Sequence, residues 1–164
     1  MNSAEHVKQA VPIRCEGVAV VLLKKHLDQY RVLMLKRAGH MLHNEWCYVG
    51  GGIEQGEKAW EAALREVHEE TGITEVRLYS ANQFEQYYSP KEDYIYTAPV
   101  FVGYVEEGQP VWLNHEHTEY QWMTFDEAKE NAALPGIDDI LDFVEKHFAK
   151  KSPSKWLRIN GEKE

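Results

Sequence analysis

Apolar residues along this chain follow two spacings, one typical of strands and one typical of helices. Within residues 13–23, the run at 17–23 is almost wholly apolar, as expected for a strand that is covered on both faces. Residues 31–36 predict a second strand of the same kind. Later segments with high strand preference predict further strands around residues 75–79, 82–88, 94–105, 111–113 and 119–125.

Three segments instead have the composition or spacing of helices. Residues 57–71 lack Gly and Pro and are followed by Gly72, a natural helix stop. A capping-box sequence predicts a helix over residues 124–134. Residues 137–148 place apolar side chains at helical intervals. This order of elements predicts an α/β fold with a mixed sheet between helices.

The chain length fits one domain that is large enough to bury a core. We assign residues 12–149 of the 164-residue chain to that domain. Residues 1–11 form a polar N-terminal tail in this interpretation, and residues 150–164 form a loose, charged C-terminal tail.

Charge and cysteine content narrow the classes of function. A net charge of −9 argues against a general nucleic-acid or anionic-membrane surface, because such partners require a basic patch. Two cysteines are too few for a disulfide framework, and the sequence shows no apolar run long enough for a secretion signal or a membrane span. We therefore expect a cytoplasmic protein, either a monomer or a homodimer.

Three carboxylates share one face of the helix predicted over residues 57–71. Glu66, Glu69 and Glu70 stand at i, i+3 and i+4, where like charges cost roughly a few tenths of a kcal/mol per pair. The negative end of the helix dipole adds to that cost. A solvated acidic surface is the simpler explanation, but the glycine-rich loop at 50–56 favours a site where Mg²⁺ bridges carboxylates and phosphates.

The stretch from Gly51 to Ile73 resembles the Nudix box, Gx5Ex7REUxEExGU with U aliphatic. Every defined position of the box is filled. The resemblance extends from about residue 17 to residue 148, with one departure at Val49, where family members commonly carry proline. It implies the α/β/α sandwich of the Nudix fold and hydrolysis of a nucleoside diphosphate linked to another group.

The resemblance also implies roles for individual residues of the box. Metal binding would fall to a set of carboxylates and one backbone carbonyl: Glu66, Glu69, Glu70 and Gly50. Glu66 is a ligand or the general base. Arg65, together with Glu57, would orient the carboxylates rather than bind substrate.

The segment His115-Glu116-His117 adds a further candidate. Alternating histidines in a polar loop are more often solvated than metal ligands. With Tyr120 and Trp122, however, the segment resembles the HE…YxW pattern of two Nudix branches, the asymmetrical diadenosine tetraphosphate hydrolases and dihydroneopterin triphosphate pyrophosphatase. This resemblance implies that Glu116 supplements the box as a metal ligand or as the general base.

Candidate substrate contacts are one arginine and three tyrosines. Arg37 resembles the family's frequent basic residue near the diphosphate, and a solvated strand end is the alternative. Tyr88 and Tyr96 flank a predicted turn at residues 89–93, where aromatic faces could hold a base by stacking or simply pack in a hairpin. Tyr120 is the third aromatic candidate.

The activity implied by the resemblance is Mg²⁺-dependent cleavage of a phosphoanhydride bond, with Mn²⁺ as the alternative metal. The expected partner is a small nucleotide-like polyphosphate: a nucleoside or pterin triphosphate, or a dinucleoside polyphosphate. ADP-ribose or a sugar nucleotide is the alternative substrate. A nucleotide-sensing regulator without turnover also stays open, although such regulators tend to lose box residues and none is lost here. The acidic composition gives no support to a nucleic-acid-binding or protein-interaction module.

Overall fold

Within residues 7–161, the part of the chain that this computed structural model describes, one mixed sheet is flanked by helices. Its eight strands are β1 (Ile13–Arg14), β2 (Gly17–His26), β3 (Gln29–Arg37), β4 (Trp46–Cys47), β5 (Val49–Gly52), β6 (Val76–Ser89), β7 (Tyr94–Val105) and β8 (His117–Met123). The α-helices are α1 (Ala59–Thr71), α2 (Phe125–Glu130) and α3 (Ile137–Val144), and α3 continues into a π-helical turn (Glu145–Ala149). Among these helices, none is long and apolar enough to cross a membrane.

The parallel pair of β2 and β7 forms the centre of the sheet. β6 pairs antiparallel with the other edge of β7, and β3 lies antiparallel between β2 and β8. β5 pairs antiparallel with the first half of β2, so that Gly50, Gly51 and Gly52 face Ala19, Val18 and Gly17. These glycines therefore form a strand, and the prediction that they belong to a loop was wrong.

The two faces of the sheet are covered by different helices. On one side, called here the α1 face, α1 packs against alternate residues of β2: Val18, Val20 and Leu22. On the other side, called the α2–α3 face, α2 and α3 pack against the intervening residues: Ala19, Val21 and Leu23. Because successive side chains of a strand point to opposite faces, the continuous apolar run of β2 is buried on both. The predicted α/β/α arrangement is confirmed.

The boundaries of α1 are set by local hydrogen bonds. At its start the Glu61 carboxylate accepts a hydrogen bond from the Lys58 N–H at 2.8 Å. At its end Gly72 has a φ of 72°, a conformation that favours glycine, and its N–H donates to the His68 carbonyl at 2.9 Å. Ala63 and Val67 are fully buried on the α1 face, so one side of the helix packs against the sheet.

The segments predicted as strands 75–79 and 82–88 form the single strand β6. Its register with β7 shifts between Ser80 and Gln83, and Asn82 within the shift has a positive φ of 56°. Such a bulge adds residues to one strand and breaks the alternation of side chains. The sequence pattern is therefore interrupted although the strand continues.

Two other predicted elements also differ from the structure, a strand at residues 111–113 and the end of α2. Residues 111–113 form no strand; the Trp112 N–H instead donates to the Thr71 carbonyl at the end of α1, at 2.7 Å. The predicted capping box of α2 is present, since the Glu127 N–H donates to Thr124 Oγ1 at 3.2 Å. The helix nevertheless ends at Glu130 rather than 134, because the Asn131 amide bonds back to the Glu127 carbonyl at 2.8 Å.

The C-terminal segment is not the loose tail that its charge predicted. After a 3₁₀ turn (Lys155–Leu157), the Ile159 N–H donates to the Leu78 carbonyl at 2.9 Å. The Asn160 side chain accepts from the Leu78 N–H and donates to the Val76 carbonyl, both at 2.7 Å. An unpaired strand edge exposes backbone donors and acceptors. This segment satisfies them on β6, a role that charge content alone does not reveal.

Candidate active site

The centre of the site is Arg65 on α1, whose guanidinium contacts several carboxylates. It grips Glu57 with two hydrogen bonds, from Nε to Oε2 at 2.8 Å and from Nη2 to Oε1 at 3.0 Å. Nη2 also donates to the Gly52 carbonyl at 2.7 Å, which ties α1 to β5. Nη1 donates to Glu66 at 2.9 Å and to Glu69 at 3.2 Å. The planar fork of arginine suits this geometry, whereas lysine presents a single point of charge.

These contacts keep the Glu57 carboxylate ionised. Hydrogen bonds from Arg65, and next the Glu54 backbone N–H, lower the pKa of Glu57 to about 2. The hydrogen bond to Glu57 in turn raises the pKa of Arg65 above its ordinary value. Glu69 stays at the surface, with half of its side chain exposed. Arg65 and Glu57 thus form a fixed ionic frame beneath the inner carboxylates.

Glu66 lies between α1 and β5 and is buried, with 8% of its surface exposed. Burial raises its pKa, and the Arg65 hydrogen bond opposes that rise. A Cβ atom at Gly51 would overlap the Glu66 carboxylate. The glycine of the box at position 51 is therefore required by the close approach of the β5 backbone to this side chain.

Glu70 is the most deeply buried carboxylate of the site, with 2% of its surface exposed. One oxygen accepts a hydrogen bond from the Gly50 N–H at 3.2 Å. Burial, reinforced by the charges of Glu66 and Glu116, raises the pKa of Glu70 to about 8, while the Gly50 N–H and Arg37 only partly oppose it. A carboxyl group in this position lacks the positive charge that would stabilise its ionised form.

His117, at the start of β8, faces Glu70 and is also buried. Its Nδ1 lies 3.6 Å from Glu70 Oε1 and has no hydrogen-bond partner among the described residues. Burial and the nearby Arg37 lower the pKa of His117 to about 4, so the ring is neutral at pH 7 and the pair is not a salt bridge. The prediction that this histidine is solvated was wrong, whereas His115 is exposed as expected.

Ligand atoms of Glu70, Glu116 and His117 all lie within 4.8 Å of one another. Two carboxylates and a neutral imidazole with an unpartnered nitrogen form a donor set that suits a divalent cation. The raised pKa of Glu70 fits the same interpretation, since a bound cation supplies the missing positive charge. The residues present therefore fit a metal ion.

The structure brings Glu116 to the box residues, as its predicted role requires. Its backbone carbonyl accepts a hydrogen bond from the Ala38 N–H at 2.9 Å, and its carboxylate raises the pKa of both Glu66 and Glu70. Arg37 lies close enough to lower the pKa of His117, and its Nε donates to the Met41 carbonyl at 3.0 Å. Both predicted residues thus border the carboxylate cluster.

The three candidate tyrosines do not form one surface. Tyr120 lies opposite Leu35 on β3 and therefore belongs to the α1 face. Tyr96 stacks on Tyr87 with ring centroids 4.9 Å apart, and its hydroxyl approaches Gly17 beside β5. Tyr88 is exposed near the hairpin turn and donates to Asp93 at 2.8 Å, which favours a structural role.

The sequence interpretation missed His117 and its neighbour Cys47, whose Sγ lies 3.8 Å from His117 Nε2. Burial raises the pKa of the Cys47 thiol to about 11, so it is an unreactive neutral group. No local signal separates His117 from His115. Its burial depends on a bulge between Lys36 and Arg37, which places His117 opposite Arg37 in the β3–β8 pair.

Comparison with known proteins gives a family and several relatives. The NUDIX domain family matches residues 14–143. Nudix hydrolase 16, mitochondrial, of Arabidopsis thaliana is 30% identical over 121 residues, which cover 68% of this chain and 65% of that protein. The match thus spans a little less than two thirds of this relative's length.

Two solved structures share the fold. A Caenorhabditis elegans Ap4A hydrolase complex matches with a TM-score of 0.70 and 21% identity, over 81% of this chain and 96% of that chain. Escherichia coli dihydroneopterin triphosphate pyrophosphohydrolase matches with a TM-score of 0.66 and 23% identity, again over 81% and 96%. The family match includes the complete box, β2, β3 and the loop that carries Glu116. The resemblance recognised in the sequence is confirmed, and the chain belongs to the Nudix hydrolase family.

Proposed function

We propose that this protein is a Mg²⁺-dependent pyrophosphohydrolase that cleaves a phosphoanhydride bond in a nucleotide-like polyphosphate, with Mn²⁺ as the alternative metal. The observation that carries the proposal is the buried Glu70 carboxylate, which has two further potential ligands beside it and a raised pKa. Buried, unpaired titratable groups with perturbed pKa values mark functional sites more often than structural ones. The fold neighbours named for hydrolysis of Ap4A and of dihydroneopterin triphosphate define the range of substrates that we propose.

The carboxylates of Glu66, Glu69 and Glu70 would hold the metal, together with Glu116 and the Gly50 carbonyl. When bound, Mg²⁺ supplies positive charge that offsets charge developing on the phosphate oxygens. His117, which stood outside the predicted ligand set, would either complete the coordination of Glu70 and Glu116 or orient Glu70 through Nδ1. Arg65 and Glu57 hold the ligands in place from the side away from the substrate.

The general base must take a proton from the water that attacks phosphorus. Glu116 is exposed and next to the buried carboxylates, so that a water molecule can reach it. Glu66 is buried and already bonded to Arg65, which occupies one of its oxygens. We therefore assign the base to Glu116, which would use one carboxylate oxygen for this step and the other for the metal, and we assign only a ligand role to Glu66. A base at this position acts within about 3 Å of the water or through one bridging water.

The test is a turnover panel with Mg²⁺ and identified products. Substrates would be GTP, ATP, dihydroneopterin triphosphate, diadenosine tetraphosphate and ADP-ribose. Pyrophosphate plus a monophosphate indicates a triphosphate substrate, whereas a mono- plus a triphosphate nucleotide indicates a dinucleoside polyphosphate. Turnover of ADP-ribose alone would favour the alternative substrate class. Tight nucleotide binding without turnover of any member, with Mg²⁺ or Mn²⁺, would contradict the proposed activity and favour a sensor.

The role of Glu116 has a matched control in the same loop and strand. Glu116→Gln should depress kcat and remove a limb of the pH profile, because the base has been replaced by a neutral amide. Glu119→Gln alters an exposed carboxylate that pairs only with Lys36, at 3.7 Å, and should leave both kcat and its pH dependence unchanged. Equal effects of the two substitutions would assign Glu116 to the solvated surface instead.

A further inference from the structure

A groove of about 360 Å³ lies on the α2–α3 face, between β6 and the turn that leads into α3. Its lining is largely apolar and includes Phe84, Tyr87, Leu134 and Phe143. Phe84 and Tyr87 are both substantially exposed, at 54% and 43%. Exposed aromatic rings beside a phosphate-processing site offer stacking surfaces for a planar heterocycle. Two carboxylates also line the groove, Glu85 on β6 and Asp139 on α3.

Glu85 is held in a fixed position. The buried Tyr48 hydroxyl donates a hydrogen bond to Glu85 Oε2 at 2.9 Å. Oε1 has no hydrogen-bond donor within residues 7–161, although the side chain is half-buried. A carboxylate that is partly withdrawn from water costs free energy unless donors satisfy its oxygens. The free oxygen therefore provides a preorganised acceptor on the wall of the groove.

A short series of contacts connects the groove to the carboxylate cluster, since Glu85 accepts a hydrogen bond from Tyr48 and the nearby Gly50 N–H donates to Glu70. Tyr48 stands two residues before Gly50, which corresponds to about 7 Å along a strand. On the same side, Tyr87 stacks on Tyr96, whose hydroxyl approaches Gly17 opposite Gly52 of β5. A molecule with a ring in the groove would therefore extend its phosphates along β5 towards Gly50 and Glu70.

A carboxylate selects among heterocycles because it only accepts hydrogen bonds. Guanine and pterin share a 2-amino-4-oxopyrimidine edge, which presents a ring N–H and an adjacent amino group. Adenine instead presents an acceptor nitrogen next to its amino group, so that an acceptor would face an acceptor. A site built to bond a donor rejects an analogue that lacks it, because a polar group of the site is then left unpaired.

We propose that Glu85 is a specificity-determining residue that binds the 2-amino-4-oxopyrimidine edge of a guanine or pterin ring held in this groove. The assignment rests on the proposed pyrophosphohydrolase function for the direction in which the phosphates lie. It adds a substrate class to that function, and it names a recognition residue outside the Nudix box.

The experiment compares kcat/KM with Mg²⁺ for GTP, ITP, ATP and dihydroneopterin triphosphate. ITP lacks only the 2-amino group of GTP. GTP or the pterin triphosphate should exceed ITP by about tenfold and ATP by more, since a good bidentate pair between a side chain and a base discriminates by this order. The ratio of GTP to the pterin compound identifies which ring the groove prefers.

Glu85→Gln should bring the GTP to ITP ratio close to one. Glu75→Gln, which alters an exposed carboxylate just before the same strand, should leave the ratio unchanged. If Glu85→Gln does not fold, the wild-type ratios are the test. Parity of GTP, ITP and ATP, or a preference for ATP, would overturn the assignment and leave the pyrophosphohydrolase function intact.

Failure of the proposed function has a different signature. If no polyphosphate is hydrolysed, equilibrium binding of GMP, IMP and AMP to the wild type and to Glu85→Gln tests the groove by itself. Tighter binding of GMP that depends on Glu85 supports the assignment without turnover. Equal binding of the three monophosphates, or a preference that survives Glu85→Gln, contradicts it.

Discussion

Two clusters on opposite sides of the sheet share the same arrangement, a cation surrounded by carboxylates. On α1, Arg65 contacts four acids: Glu54, Glu57, Glu66 and Glu69. On α2, the Lys129 ammonium lies near three acids from two helices and the π-helical turn: Asp126 at 3.7 Å, Asp142 at 2.8 Å and Glu145 at 3.1 Å. In the sequence, both are acidic helix surfaces with a basic residue among them.

The clusters differ in what lies behind the cation. Around Lys129 the charges are paired, and the hydrogen bond to Asp142 raises the pKa of Lys129 and lowers that of Asp142. Behind Arg65, Glu70 is buried without a cation of its own, and its pKa rises to about 8. An acidic cluster with paired charges links helices, whereas a buried unpaired carboxylate beside other ligands prepares a metal site. The number of acids does not distinguish the two.

The largest effect should come from neutralising that unpaired carboxylate. Glu70→Gln keeps the shape of the side chain but removes a charged metal ligand. We therefore expect kcat/KM to fall at least roughly 30-fold, which corresponds to about 2 kcal/mol of lost transition-state stabilisation. The metal-free variant should be as stable as the wild type or more stable, because folding no longer has to protonate a buried carboxyl group that is ionised in the unfolded chain. Steady-state kinetics and thermal unfolding in chelator measure the two quantities.

Asp142→Asn is the matched control in the Lys129 cluster. It neutralises a carboxylate of an ionic cluster on the opposite face, and we expect unchanged kcat and KM. Near wild-type turnover of Glu70→Gln at saturating Mg²⁺ would contradict the metal site. A loss of stability in metal-free Glu70→Gln would show that its charge is paired after all.

In the metal-free protein, the Glu70 carboxyl group should also make the free energy of unfolding depend on pH. Glu70 has its ordinary pKa near 4.5 when unfolded and about 8 when folded, so the folded state binds more protons between these values. Stability therefore falls as pH rises through this window, by up to about 1.4 kcal/mol per pH unit. His117 acts in the opposite direction between pH 4 and 6.5, because burial lowers its pKa to about 4. Between pH 6.5 and 8 the contribution of Glu70 to the stability is therefore not offset by that of His117.

Urea unfolding across pH 6.5 to 8 measures this slope. Glu70→Gln should flatten it, and saturating Mg²⁺ should flatten it in the wild type, because the bound cation keeps Glu70 ionised in the folded state. Asp142 cannot mimic the effect, since its pKa is lowered and its contribution disappears only at acidic pH. A slope that persists in Glu70→Gln would assign it to another group.

Exchanging the cation of each cluster, Arg65 and Lys129, for the other basic residue should have a smaller effect on turnover. Arg65→Lys retains the charge but loses the fork that grips Glu57 with two bonds and also contacts Gly52. We expect kcat to fall by about tenfold with little change in KM, since the ligands are misoriented and the substrate is not contacted. Lys129→Arg is the reciprocal control and should leave both constants unchanged. A raised KM with unchanged kcat would mean that Arg65 binds the substrate.

The parts of this protein that the sequence predicted well are those that depend on local interactions. The end of α1 follows from Gly72, and the lack of Gly and Pro over residues 57–71 predicted the helix itself. The apolar run of β2 predicted burial on both faces because alternation is a property of one strand. Such signals lie within a few residues of the element that they define.

The features that the sequence did not predict depend on pairing between distant segments. His117 is buried because β8 pairs with β3 through a bulge, and Tyr48 meets Glu85 across 37 positions of the chain. The C-terminal segment covers β6 through one asparagine side chain, more than 80 residues away in sequence. Composition and periodicity carry no information about these partners.

The smallest effect should come from removing the cation of the Lys129 cluster. Lys129→Met retains much of the aliphatic stem and leaves three carboxylates on α2, α3 and the π-helical turn without their shared partner. Because Asp126 and Asp142 are largely exposed, solvent and salt screen the repulsion, and the free energy of unfolding should fall by about 1 kcal/mol or less. Urea unfolding at low and high ionic strength measures it, and the deficit should shrink as salt is added. Turnover should not change, since the cluster lies on the face opposite the box; a fall in kcat like that of Arg65→Lys would show that the two clusters are coupled through the sheet.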